Sequence, residues 1–136
     1  MPAGYSQKPL AGKLGIKDGF SIAILNAPKN YPATLGRLPA NVKVGKRLRP
    51  PQDLIQFFCR ARRDLEEQFP ALKSALAQNG SLWISWPKGS SKVETDLNEN
   101  VVRDIGLKHG LVDVKVCAVD ETWSGLKFVF RLKDRA

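Results

Sequence analysis

Between Asp53 and Pro87 the spacing of apolar residues changes twice. Asp53-Leu-Ile-Gln-Phe-Phe-Cys59 and Gln78-Asn-Gly-Ser-Leu-Trp-Ile-Ser-Trp-Pro87 are short runs of apolar and β-favouring residues, the mark of buried strands. Between them, Arg63 to Ala77 carries Leu65, Phe69, Leu72 and Leu76 at helical spacing, with Glu66, Glu67 and Lys73 turned outward. The pattern predicts strand, helix, strand: a βαβ unit with a right-handed crossover. Pro70 falls inside the helical run and is expected to kink the helix or split it. Asn79-Gly80 is expected to turn the chain into the second strand.

The flanking segments extend this pattern. Met1 to Gly19 reads as an arm and a short helical turn, with Leu10 and Leu14 on one face and Gly15 as the stop. Phe20-Ser-Ile-Ala-Ile-Leu25 predicts the first, central strand. Asn30 to Leu38 predicts a short helix with Pro32 in its first turn, and Asn41-Val-Lys-Val44 a short edge strand. Pro50-Pro51 predicts an extended loop. Gly89-Ser-Ser91 reads as a flexible loop. Thr95 or Asp96 is placed to cap a further helix, since Asp96-x-x-Glu99 matches a capping box; Leu97, Val101 and Ile105 share its face, and Gly110 closes it. Leu111 to Val119 and Leu126 to Leu132 alternate, and the short link between them requires an antiparallel hairpin.

The 136 residues suit one α/β domain, 1–136, with 1–19 as its arm. Charge is uneven. Residues 1–63 hold 12 Lys and Arg against Asp18 and Asp53, a net of +10, whereas 64–136 sum to −1. A basic face from the first half follows, built from Lys46, Arg47 and Arg49 with Arg62 and Arg63. It suits an anionic small molecule, nucleic acid or an acidic protein, or it is simply a solvated surface. Cys59 and Cys117 lack metal-ligand spacing and read as free thiols; nearby arginines offer Cys59 a lowered pKa, and burial offers the opposite. No metal is expected. No apolar run reaches the roughly 20 residues of a membrane span, and no continuous apolar leader is visible, so the cytoplasm is the expected location.

Open α/β sheets bind ligands where strands end. Asn26, Cys59 and Arg60 are expected to meet there, with Trp86 and Lys88 on the same edge; Asn26, Arg60 and Lys88 together suit a phosphate or carboxylate. Asn26 is equally suited to capping a turn. Trp83 and Trp86 point to opposite faces, one in the core and the other available for stacking. Asp120-Glu-Thr-Trp123 reads either as a binding lip or dimer contact, or as a turn in which Asp120 binds backbone and Trp123 covers a helix. His109 sits at a helix end with no Ser or Cys partner for catalysis.

The second half resembles a class I methyltransferase-like domain. Asp53-Leu-Ile resembles that fold's fourth strand, and Leu76-Ala-Gln-Asn-Gly-Ser-Leu-Trp-Ile-Ser85 its segment of helix end, glycine and strand. The resemblance implies a three-layer, Rossmann-like, shortened methyltransferase-like sheet, mostly parallel, in the order 2-1-3-4-6-5, with a C-terminal antiparallel hairpin. The whole chain is also similar to a small uncharacterised bacterial family, domain of unknown function 3052. That likeness rests on Pro9-Leu-Ala, Lys13-Leu-Gly-Ile16, Leu25-Asn-Ala-Pro28, Ser85-Trp-Pro-Lys88, Thr95-Asp-Leu97 and above all Val114 to Lys127. It implies no activity.

Two positions depart from the methyltransferase pattern. The loop expected to be rich in glycine is Asn26-Ala-Pro28, where Pro28 offers no N–H. The carboxylate that would hold a ribose is replaced by Gly45-Lys46-Arg47 after Val44. On these grounds the sequence predicts no cofactor, S-adenosylmethionine included, and a non-catalytic binding or regulatory protein on a degenerate methyltransferase-like fold. The alternatives are an enzyme acting on a small anionic substrate at the strand-end crevice and a nucleic-acid-binding module.

Overall fold

A computed structural model describes residues 9–135; the arm expected over the first eight lies outside them. Six strands form one sheet in the order β2-β1-β3-β4-β6-β5. They are β1 (Ser21–Leu25), β2 (Lys43–Gly45), β3 (Gln52–Phe58), β4 (Leu76–Pro87), β5 (Leu111–Ala118) and β6 (Trp123–Phe130). β2, β1, β3 and β4 are parallel neighbours; β6 runs antiparallel to both β4 and β5. This is the expected order, with the mostly parallel sheet and the C-terminal hairpin in place.

Helices cover both faces because the strands alternate between two cores. Ile55 and Phe57 of β3, with Leu82, Ile84 and Trp86 of β4, face α3 (Arg62–Ala75) and α4 (Glu99–Lys108). Leu54, Phe58 and Trp83 face the other way, against α1 (Leu10–Leu14) and α2 (Tyr31–Leu35). The Trp83 indole N–H donates to the Leu14 carbonyl at 2.8 Å, tying α1 to β4. Gly106 lets α4 lie against β6, since a β-carbon there would overlap the ring of Phe128.

Three local expectations are corrected. Pro70 does not split α3, which runs unbroken through it. The proline costs about 3 kcal/mol, but Leu65, Phe69 and Leu72 are fully buried on that helix, each stabilising by roughly 1.5–3 kcal/mol. Asn79-Gly80 is not a turn but an irregularity within β4, where the register against β3 shifts. Gly80 is required there, because a β-carbon would stand 2.9 Å from the Gln52 carbonyl oxygen. The cap of α4 is Asn98, whose side chain accepts from Val101 N–H at 2.9 Å. Asp96 and Thr95 bind elsewhere: Asp96 accepts from Arg62 N–H, and the Thr95 hydroxyl donates to the Arg60 carbonyl. Gly89–Ser91 forms a short 3-10 turn.

Candidate functional site

The parallel strands end together along one rim, and two cavities open there. The first, about 710 Å³, lies at the ends of β1 and β3 and is lined by Asn26, Phe57, Cys59, Arg60, Asp64 and Trp123 among others. The second, about 670 Å³, lies between the ends of β1 and β2 against α2, with Ile24, Pro28, Tyr31, Leu35, Leu38 and Val44 making most of it apolar. Both volumes fall within the range of small-molecule sites. Asn26 belongs to both cavities.

Asn26 can stand there because it ends β1 in the left-handed region, at φ 60. Asparagine tolerates that conformation better than other residues with a β-carbon. It therefore turns the chain sharply at the strand end. Its Nδ2 donates to the Phe58 carbonyl at 3.4 Å, a bond that does not use the acceptor capacity of its amide oxygen. Asn30, also in the left-handed region at φ 65, precedes α2 without a side-chain capping bond.

Below the second cavity runs a buried polar chain that sequence reasoning missed. The Tyr31 hydroxyl donates to Gln56 Oε1, and Gln56 Nε2 donates to the Ser85 hydroxyl at 3.2 Å. Gln56 and Ser85 are both fully buried. Burial pushes the Tyr31 phenol well above its usual range, with the Gln56 hydrogen bond opposing it. The chain pins α2 to β3 and β4 and so fixes the cavity wall. Gln56 inside the apolar run from Leu54 to Phe58 was the available signal, since buried polar groups are nearly always bonded.

The expected site residues divide. Asn26, Arg60, Cys59 and Trp123 come together at the first cavity. Lys88 does not line it; its backbone N–H donates to the Thr122 carbonyl at 2.8 Å. Trp86 is corrected to a core residue, because alternation along β4 turns it beneath α3 and α4. Trp83 is fully buried on the opposite face, so neither β4 tryptophan is free to stack on a ligand. Asp120 is occupied by a turn: its Oδ1 accepts from Thr122 and Trp123 N–H, each at 2.8 Å. Trp123 packs edge-on to Phe58, with ring centroids 5.1 Å apart.

Cys59 is buried, and desolvation, with Asp64 and Asp96 adding to it, pushes its thiol up to about 12. The arginines expected to activate it do not. The basic face also divides. Arg62 pairs with Glu66 at 3.6 Å and Arg63 with Asp64 at 3.9 Å on α3, whereas Lys46, Arg47 and Arg49 lie across the sheet after β2. His109 ends α4 and stacks on Phe69, with centroids 4.8 Å apart. No group of His, Cys, Asp and Glu among the described residues is placed to hold a metal ion. No helix among them is long and apolar enough to cross a membrane.

No family model and no curated protein matches the chain. Solved structures do. Magnesium protoporphyrin IX methyltransferase from Synechocystis, determined with bound SAH, is similar at TM-score 0.58 and 13% identity, covering 88% of this chain and 76% of that one. The ribosomal protein L11 methylase of Lactobacillus delbrueckii is similar at TM-score 0.55 and 12% identity, over 89% and 74%. The Bacillus subtilis M1A22 tRNA methyltransferase TrmK is similar at TM-score 0.56 and 10% identity, over 92% and 67%. The fold is therefore methyltransferase-like, with the sheet order and terminal hairpin described above.

Two expectations are corrected by these likenesses. A non-catalytic binding or regulatory role, together with its two alternatives, was inferred from residue departures alone, and these structural relatives are all methyltransferases. The absence of any cofactor was inferred the same way, yet one relative carries SAH on this fold. The physical reason is visible at Asn26. Glycine was expected there so that the backbone could approach a ligand; Asn26 instead turns the backbone at φ 60 and lines both cavities.

Proposed function

We propose that the protein is a methyltransferase-like enzyme, holding an adenosyl cofactor between the ends of β1 and β2 and its methyl acceptor between the ends of β1 and β3. The observation that carries this reading is that the two cavities share Asn26. A donor in one and an acceptor in the other would meet at that residue, and bringing two reactants together in fixed orientation is the largest part of such a transfer.

The residues present fit the group by a different set of acceptors. Ribose hydroxyls donate hydrogen bonds, and a carboxylate is only one partner for them. Here the amide oxygens of Asn26 and Asn30 take that part, in place of an acid at Lys46. The apolar wall of Ile24, Leu35, Leu38 and Val44 suits a purine base. The bound cofactor would supply a methyl group activated on a sulfonium. Trp123 and Phe57 would orient the acceptor, and Asp64, the carboxylate lining that cavity, would take its proton. Cys59, held as a neutral thiol, takes no nucleophilic part.

The similarity of Val114 to Lys127 to the uncharacterised bacterial family stays a proposal beside this one; it adds no chemistry to it. Titration of SAH by calorimetry tests the function. Saturable heat that disappears in Ala27→Trp, which fills the second cavity, supports the reading; no heat with the unaltered protein contradicts it.

A further inference from the structure

Aromatic rings connect the wall of one cavity to the wall of the other. Tyr31 lines the cavity between the ends of β1 and β2, and Trp123 lines the cavity between the ends of β1 and β3. Phe58 stands between them. Tyr31 meets it edge-on, with centroids 4.9 Å apart and planes at 75°. Trp123 meets it edge-on as well, at 5.1 Å and 84°. Both separations lie in the range where aromatic quadrupoles attract.

The rings are held to different degrees. Tyr31 and Phe58 are buried, and the Tyr31 hydroxyl is bonded to Gln56. Trp123 is half-buried. Asp120 Oδ1 accepts from the Trp123 N–H, which fixes its backbone. The orientation of its indole is then set by packing, and Phe58 is its aromatic neighbour.

We propose that Tyr31 is a positioning residue for the methyl acceptor: it acts through Phe58 to set the ring of Trp123, and does so fully only when the cavity between β1 and β2 is filled. This role rests on the two-cavity reading and adds to it a dependence of one site on the other. Close-packed side chains pass a constraint on, because they touch with few voids between them. A ligand against Tyr31 narrows the positions open to its ring. Phe58 is confined in turn, and so is Trp123, which bounds the acceptor cavity. Binding in the order cofactor, then acceptor, follows. By linkage, an acceptor that engages Trp123 tightens cofactor binding by the same factor. Asn26 offers a second route, through its bond to the Phe58 carbonyl, but that route runs along the backbone and does not need the Phe58 ring.

The test is the indole N–H magnetic resonance spectrum of the isotope-labelled full chain titrated with SAH, beside calorimetry of the same titration. The chain has three tryptophans, and Trp123→Phe identifies the Trp123 signal by its loss. Trp83 and Trp86, both buried, serve as references. The expected result is a Trp123 shift that saturates together with the heat. Phe58→Leu removes the middle ring at a residue that does not line the cavity between β1 and β2, so the heat should remain and the shift should be lost. Tyr31→Phe keeps the ring without the hydroxyl and should keep the shift, whereas Tyr31→Leu should lose it at saturating SAH. Circular dichroism confirms the fold of each variant; where Phe58→Leu does not hold its fold, the contrast between the two Tyr31 variants decides. Heat with no Trp123 shift in the unaltered protein overturns the role of Tyr31 and leaves the two-cavity reading standing. A shift that persists in Phe58→Leu also overturns it, by assigning the effect to Asn26 or to direct contact. No heat at all overturns both.

Discussion

Asn26 joins the end of β1 to the end of β3 through its side chain: Nδ2 donates to the Phe58 carbonyl at 3.4 Å while the backbone turns at φ 60. One residue thus sets the turn, ties two strands and lines both cavities. Asn26→Gly keeps the turn and loses one hydrogen bond, a change of about 1 kcal/mol. Asn26→Ala loses the bond and adds left-handed strain of about 1–2 kcal/mol. Urea denaturation should therefore rank wild type above Asn26→Gly above Asn26→Ala. Equal stability of the two variants would remove the strain from the account.

Gly106 and Phe128 define how close α4 lies to the sheet. Gly106→Ala should destabilise by about 1–3 kcal/mol through overpacking, because the added carbon overlaps the Phe128 ring. In Gly106→Ala/Phe128→Leu the smaller side chain makes room, so the two changes should be strongly non-additive. Additive losses in denaturant midpoints would show that the two residues do not compete for the same space.

His109 should make stability depend on pH. Burial first, then Lys108 and Lys73, hold its imidazole below the usual histidine range, so the folded state prefers it neutral. Its Nε2 is buried without a partner among the described residues. Below about 6.5 the unfolded chain binds a proton that the folded chain resists. Stability is thus full above the unfolded value and is lost as pH falls from there through the folded value. Glu66 lies lower: its hydrogen bond with Lys108 depresses its carboxyl, so its contribution is lost in a separate, more acid range. Urea midpoints measured between pH 7 and pH 5 should fall for the wild type and fall less for His109→Phe, which can keep the stack on Phe69. Equal slopes would contradict this assignment.

The two thiols should react in a set order. Cys59 is buried and pushed up to about 12, while Cys117 is only partly covered. Burial also raises the Cys117 thiol, but Lys13 and Lys115 oppose it. Iodoacetamide at pH 8 should modify Cys117 first and Cys59 only on unfolding. Prior labelling of Cys59 would place it in an open, electropositive site, contrary to the structure.

The sheet order was legible in the chain because period and length separate strands from helices. Leu65, Phe69 and Leu72 mark α3, and the alternation of Val112 to Val116 marks β5. What was not legible depended on distant contacts. Nothing local to Pro70 says that the core beneath α3 outweighs its missing N–H, and nothing near Asn79-Gly80 says that the Gln52 carbonyl lies against it. At the site, Asn26 and Arg60 could be placed by strand ends. The Tyr31–Gln56–Ser85 chain required knowing which faces meet. Ruling out a cofactor from Ala27, Pro28 and Lys46 gave weight to side-chain identity alone, whereas the turn is set by the φ that Asn26 adopts.

The most direct test of the two-cavity reading is the amide nuclear magnetic resonance spectrum of the protein titrated with SAH. The account predicts saturable shifts at Asn26, Ala27, Lys29, Tyr31, Val44 and Gly45, which line the cavity between β1 and β2. No shift at millimolar SAH, or shifts confined to Lys73, Gln78 and His109 around the separate cavity beside α3, would contradict it.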